Sequence, residues 1–192
     1  MNWGRISWAS LAPQRWSRVV TMAVPIGPAA ASGFFSFEQL KRSWYMFFQL
    51  NALANAIVPM NDYEYITRLW NDWSPGYDAT DDVAHFIACV PTPDHLAATL
   101  DFYRHSLGFE LHRPDFADAQ NATLSVPPQP LLYLHGADDG CMGREIAALT
   151  PDHLSVGGSR FEMVDDAGHF LHLERPDLIG DLVVEFVTGQ PR

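Results

Sequence analysis

The sequence predicts an α/β fold with a mainly parallel sheet, and three stretches carry that prediction. Leu131-Leu132-Tyr133-Leu134-His135 is a short, almost wholly apolar run closed by the turn residues Gly136-Ala137-Asp138-Asp139-Gly140. Continuous apolar runs mark strands buried on both faces, as in parallel sheets. Ser159-Arg160-Phe161-Glu162-Met163-Val164 alternates polar with apolar, which suits a strand with one buried face. Residues 18–24 are β-branched and apolar, a third buried strand.

Taken in order, residues 5–16 read as a helix ended by Pro13 and Gln14-Arg15, and Pro25-Ile26-Gly27-Pro28 ends the strand that follows. Residues 37–90 read as helical and aromatic. Leu40, Trp44, Phe47 and Phe48 share one face, and Tyr63, Ile66, Leu69, Trp70 and Trp73 are in phase on a second helix broken by Ser74-Pro75-Gly76-Tyr77. Pro91-Thr92-Pro93-Asp94 is a helix start, because Thr or Asp can cap and Pro suits early positions. Residues 109–130 read as an irregular linker rich in proline. Asp165-Asp166-Ala167-Gly168 is turn chemistry, His169 follows it, and Leu178, Ile179, Leu182, Val183 and Phe186 form the inner stripe of a closing helix. A histidine at a strand-to-helix turn stands at the rim of a sheet, where a general base can reach a cleft. A carboxylate at one strand end and a histidine at the next are the two orienting members of a catalytic triad.

With 192 residues the chain has room for one domain with a substantial core. Hydrophobic residues at 47% against 18% charged exclude a disordered chain. A net charge of −11 argues against nucleic acid as a partner. Cys89 and Cys141 lie far apart without a metal-type spacing and are expected as free thiols in a reducing compartment; no signal-peptide pattern or membrane span is read, so cytoplasm is the default. The aromatic bias of residues 34–103 suits an apolar pocket or lid. No metal is expected, since nothing in the spacing of His135, His169 and His172 supplies a familiar site.

Leu134-His135-Gly136-Ala137-Asp138-Asp139, followed by Asp166-Ala167-Gly168-His169-Phe170-Leu171-His172-Leu173-Glu174-Arg175-Pro176, resembles the C-terminal half of an α/β-hydrolase, most closely the epoxide hydrolases, with haloalkane dehalogenases as relatives. The resemblance implies a partial α/β-hydrolase fold: core segments at 1–33 and 131–192, an inserted helical cap at 34–107 and a linker at 108–130. It implies that His169 is the general base and that Asp139, the last place of Gly-x-x-Asp, is the acid that orients it, with Asp138 as the fallback. Tyr103 lies in the context of the cap tyrosine that donates to the epoxide oxygen. The place of a second such tyrosine falls on Trp44, with Tyr45 one residue later. Asn2-Trp3-Gly4 resembles the second half of the nucleophile elbow, which puts Asn2 where the family has an attacking Asp. An amide is a poor nucleophile, so Asn2 departs from the pattern.

The function so implied is hydrolysis of a small apolar epoxide through an ester intermediate in the complete protein, without a cofactor. The alternatives are a truncated or degenerate chain without catalysis, and a haloalkane dehalogenase or esterase. A sheet lacking its leading strands would expose an apolar edge, so a homodimer or a missing N-terminal half are the expected partners.

Overall fold

A computed structural model describes residues 8–108 and 113–190. Three strands, β1 (Val19–Met22), β2 (Leu131–Gly136) and β3 (Arg160–Val164), form a parallel sheet in the order β1-β2-β3. Leu132 pairs with Val20 on one side and Arg160 on the other, and Gly136 with Val164. The central β2 is buried at every position, which accounts for its unbroken apolar sequence. Successive side chains of a strand point to opposite faces. Leu131 and Tyr133 therefore join Val19, Ile26, Ala29 and Ala147 in one core cluster, while Leu132 and Leu134 join Val164, Leu171, Ile179 and Phe186 in another. Helices Gly27–Gly33 and Arg144–Ala147 thus back one face and helix Pro176–Thr188 the other, giving three layers.

Most of the predicted closing stripe packs inward, but Leu178 is exposed; Ile179 and Phe186 are its fully buried members. The helix starts on Pro176, whose missing N–H costs nothing at a helix start, and ends on Gly189 at φ 72°.

Between β1 and β2 run Phe37–Arg42, Trp44–Gln49, Ala54–Ile57, Met60–Trp73, Thr80–Cys89 and Pro93–Leu107. Thr92 caps the last of these through its hydroxyl, as its sequence predicts. The predicted face of Leu40, Trp44, Phe47 and Phe48 is not the inner one. Trp44 and Phe47 are exposed, and the buried positions are Gln39, Ser43, Tyr45, Met46 and Gln49. The helix breaks at Ser43 (φ −87°, ψ 8°), and Gln39 fixes the facing by donating from Nε2 to the Cys141 carbonyl at 2.8 Å and accepting the Gly143 N–H at 2.9 Å. A buried polar tie outranks the apolar stripe because an unpaired amide in the interior is costly. The expected irregular linker also differs: it holds a 3-10 turn, Pro114–Phe116, and a short helix, Ala117–Ala122, where three alanines supply helix propensity.

Candidate active site

The turns after β2 and β3 lie at the same end of a parallel sheet and are stitched together by backbone. Ala137 N–H donates to the Val164 carbonyl at 2.8 Å and Asp138 N–H to the Ala167 carbonyl at 2.9 Å. Gly136 makes this approach possible, because a Cβ there would lie 2.1 Å from the Gly168 carbonyl oxygen. The C-terminal end of helix Met60–Trp73 then clamps both turns. One carbonyl, that of Trp73, accepts the N–H of His169 at 2.9 Å and of Gly140 at 3.2 Å. Glu174 completes the strap, accepting from Ser74 Oγ and from Gly168 N–H at 2.8 Å each, while Ser74 Oγ takes the Phe170 N–H at 3.1 Å.

Within this frame His169 Nδ1 lies 2.9 Å from Asp139 Oδ2. Asp139 is buried, and its Oδ1 accepts N–H groups from Cys141 at 2.7 Å and Met142 at 2.9 Å, so the carboxylate cannot swing away. Asp138, the alternative acid, is exposed. With Nδ1–H donated to Asp139, His169 Nε2 carries the free lone pair of a base. Burial works against a charged ring at His169, but Cys141 and Asp139, by charge and by hydrogen bonding, outweigh it and hold its pKa well above the usual 6.5. His135 lies beneath the turn between the Tyr133 hydroxyl at 2.6 Å and the Met142 carbonyl at 3.1 Å; burial, opposed by Asp139, lowers its pKa. His172, three residues past His169, is exposed.

The helical stretch supplies a roof. Tyr45 packs edge to face on Tyr103 with centroids 5.8 Å apart, against Trp73 at 4.8 Å, and its hydroxyl lies 3.3 Å from Cys141 Sγ. Burial first, then the neighbouring Cys141, push both tyrosine hydroxyls far above their ordinary range, so each stays a protonated donor near neutral pH. Trp44 stands outside this group: it is 46% exposed, and its indole packs on Phe48 and Tyr65. The break at Ser43 turns Tyr45, not Trp44, inward. Asn2 and Trp3 lie outside the described residues. Beside the roof is a cavity of about 230 Å³ whose lining includes Leu69, Trp70, Trp73, Leu100, Tyr103 and Phe170. Trp73 and Phe170 also hold the His169 ring, at centroid distances of 5.5 and 5.2 Å.

Sequence reasoning missed Cys141, Gln39, Ser74 and the Trp73 carbonyl. Cys141, two residues beyond the acid, had a positional signal; the others act through contacts distant in sequence. Among the described residues Asp139, Cys141 and His169 bring one donor atom each within 4.8 Å of the other two, a set that suits a soft divalent cation. The carboxylate oxygens and Nδ1 are already engaged with one another or with backbone.

No protein-family profile matches the chain. It is 24% identical over 195 residues to the AB hydrolase superfamily protein YfhM of Bacillus subtilis (strain 168), covering 98% of this chain and 64% of that protein. It is 24% identical over 164 residues to epoxide hydrolase 4 of Homo sapiens, covering 81% of this chain and 41% of that one. The structure superposes on an epoxide hydrolase of Bacillus megaterium, solved with an inhibitor, at a TM-score of 0.72 and 16% identity, over 97% of this chain and 66% of the other. The chain has an α/β-hydrolase fold. It spans 64% of the length of YfhM and 41% of the human relative, so the sheet described here is a part of the α/β-hydrolase sheet. Among the described residues no helix is long and apolar enough to cross a membrane.

Proposed function

We propose that this chain is the acid, base and cap portion of an epoxide hydrolase-like α/β-hydrolase that acts on a small apolar epoxide. The observation that carries the reading is the 2.9 Å contact between His169 Nδ1 and the buried Asp139 carboxylate beneath two protonated tyrosine hydroxyls. Residues 34–107 act as the cap, and the apolar cavity beside Tyr103 takes the substrate's hydrocarbon part. Opening an epoxide develops negative charge on its oxygen, and in this reading the hydroxyls of Tyr45 and Tyr103 donate to it. In the complete protein a carboxylate at the elbow attacks carbon and forms an ester. His169 then takes a proton from water, Asp139 holds the ring's orientation and stabilises the cation, and the hydroxide cleaves the ester to release the diol.

The test is diol release from an aryl and an alkyl epoxide, using the chain as it stands and with Asn2→Asp. Activity that appears or rises with Asn2→Asp, and falls by about 10²–10⁴-fold with His169→Gln, supports the reading. Diol release indifferent to His169→Gln contradicts it. Halide or carboxylate release from matched substrates without diol identifies a dehalogenase or esterase instead, and no turnover with either elbow residue identifies a non-catalytic chain.

A further inference from the structure

We propose that Cys141 is a second nucleophile of this site, one that takes the acyl group of a small activated carboxylic ester as a thioester. The proposal rests on the Asp139–His169 pair of the proposed function but not on epoxide chemistry.

Cys141 is held at every polar atom. Its N–H donates to Asp139 Oδ1 at 2.7 Å, its carbonyl accepts from Gln39 Nε2 at 2.8 Å, and its Sγ lies 3.3 Å from the Tyr45 hydroxyl. The first two ties fix the backbone that carries the thiol, and the third is the thiol's own. Its sulfur also lies within 4.8 Å of a ring nitrogen of His169 and of a carboxylate oxygen of Asp139. Nucleophile, base and orienting acid are thereby grouped in one place, with looser spacing than a substrate complex needs. Ser74, the hydroxyl nearest by sequence to the clamp, is committed to Glu174 and the Phe170 N–H. The other cysteine, Cys89, is exposed and lies 3.7 Å from His85 Nε2, so it serves as an internal control. Cys141 itself is only 3% exposed, and its sulfur shares the immediate surroundings of a His169 ring nitrogen.

The thiolate, not the thiol, attacks, and the His169 ring nitrogen within 4.8 Å of the sulfur is the group on hand to take the thiol's proton. The Cys141 proton passes to His169, sulfur bonds to the carbonyl carbon, and the bond from that carbon to the alcohol oxygen breaks as the leaving alkoxide takes the proton from His169. Water then gives a proton to His169 and attacks the thioester carbon. The carbon–sulfur bond breaks, the thiolate regains a proton, and a carboxylic acid leaves. Tyr45 and Tyr103 donate to the carbonyl oxygen while it is charged. An ester suits this site because a thioester can be hydrolysed, whereas the thioether from an opened epoxide would end the cycle.

The experiment mixes the full chain with p-nitrophenyl acetate, follows nitrophenolate, and maps the acetyl group by peptide mass after acid quench. The expected result is a burst approaching one equivalent with acetyl on Cys141, lost in Cys141→Ser, kept in Cys89→Ser, and slowed by about 10²-fold in His169→Gln. Acetyl only on Cys89 or lysine, an unchanged burst in Cys141→Ser, or no burst overturns the proposal. Should Cys141→Ser fail to fold by circular dichroism, the mapping on the parent chain still decides. Diol release run in parallel separates the two readings: diol without Cys141 acylation sinks this proposal alone, and acylation without diol sinks only the epoxide reading.

Discussion

At the scale of single residues the site is an exercise in opposing costs. Burying an imidazole disfavours its charge, and Cys141 and Asp139 reverse that preference at His169, while at His135 burial prevails. The sign of the pH dependence follows. A histidine whose folded pKa exceeds its unfolded value stabilises the fold fully below the unfolded value, and that stability is lost as pH rises through the folded pKa. Urea midpoints of the parent and of His169→Ala should therefore differ most at about pH 6 and converge as pH rises beyond the ordinary histidine range. A gap that widens with rising pH contradicts this assignment. Any hydrolysis that needs neutral His169 should rise with pH over the same window, with its midpoint above 6.5.

At the scale of elements, the contacts between turns and helix matter more than any one helix's propensity. Gly140 is the tightest point: a Cβ there would lie 1.8 Å from the Asp72 carbonyl oxygen, which is backbone and cannot yield. Gly140→Ala is expected to push helix Met60–Trp73 off the Trp73 clamp and to cost about 1–3 kcal/mol, read as a lower thermal midpoint, with His169 more accessible. An unchanged midpoint would mean that the clamp is not formed. The strands and the closing helix were legible because their period is local: β2 is apolar throughout and is buried throughout. A carboxylate and a histidine at neighbouring strand ends were legible because strand ends of a parallel sheet meet at one edge, whereas the choice of Asp139 over Asp138 was implied by the resemblance to the α/β-hydrolases. The inner face of helices Phe37–Arg42 and Trp44–Gln49 was not legible, since Gln39 answers to Cys141 and Gly143, over a hundred residues away, and the break at Ser43 shifts the phase toward Tyr45.

At the scale of the whole molecule, a parallel sheet backed by helices on both faces presents one rim on which the Asp139 carboxylate and the His169 imidazole converge, and aromatic helices pack beside that rim. Large apolar side chains such as Phe35 and Phe37 remain 71% and 75% exposed, and among the described residues β1 has a partner strand on one side only. Such edges and patches are where further protein tends to pack. The fold and the Asp–His pairing were within reach of the sequence because they follow from strand order; the closeness of the Cys141 sulfur to that pair and to Tyr45 was not, because it needs the third dimension. Everything proposed depends on the turns after β2 and β3 closing on each other in solution, and a single proton reports that closure. Nuclear magnetic resonance of the histidine side chains should show a strongly deshielded, slowly exchanging proton on His169 Nδ1, lost in Asp139→Asn and kept in Asp138→Asn. A His169 ring proton that survives Asp139→Asn, or disappears only in Asp138→Asn, would contradict the account.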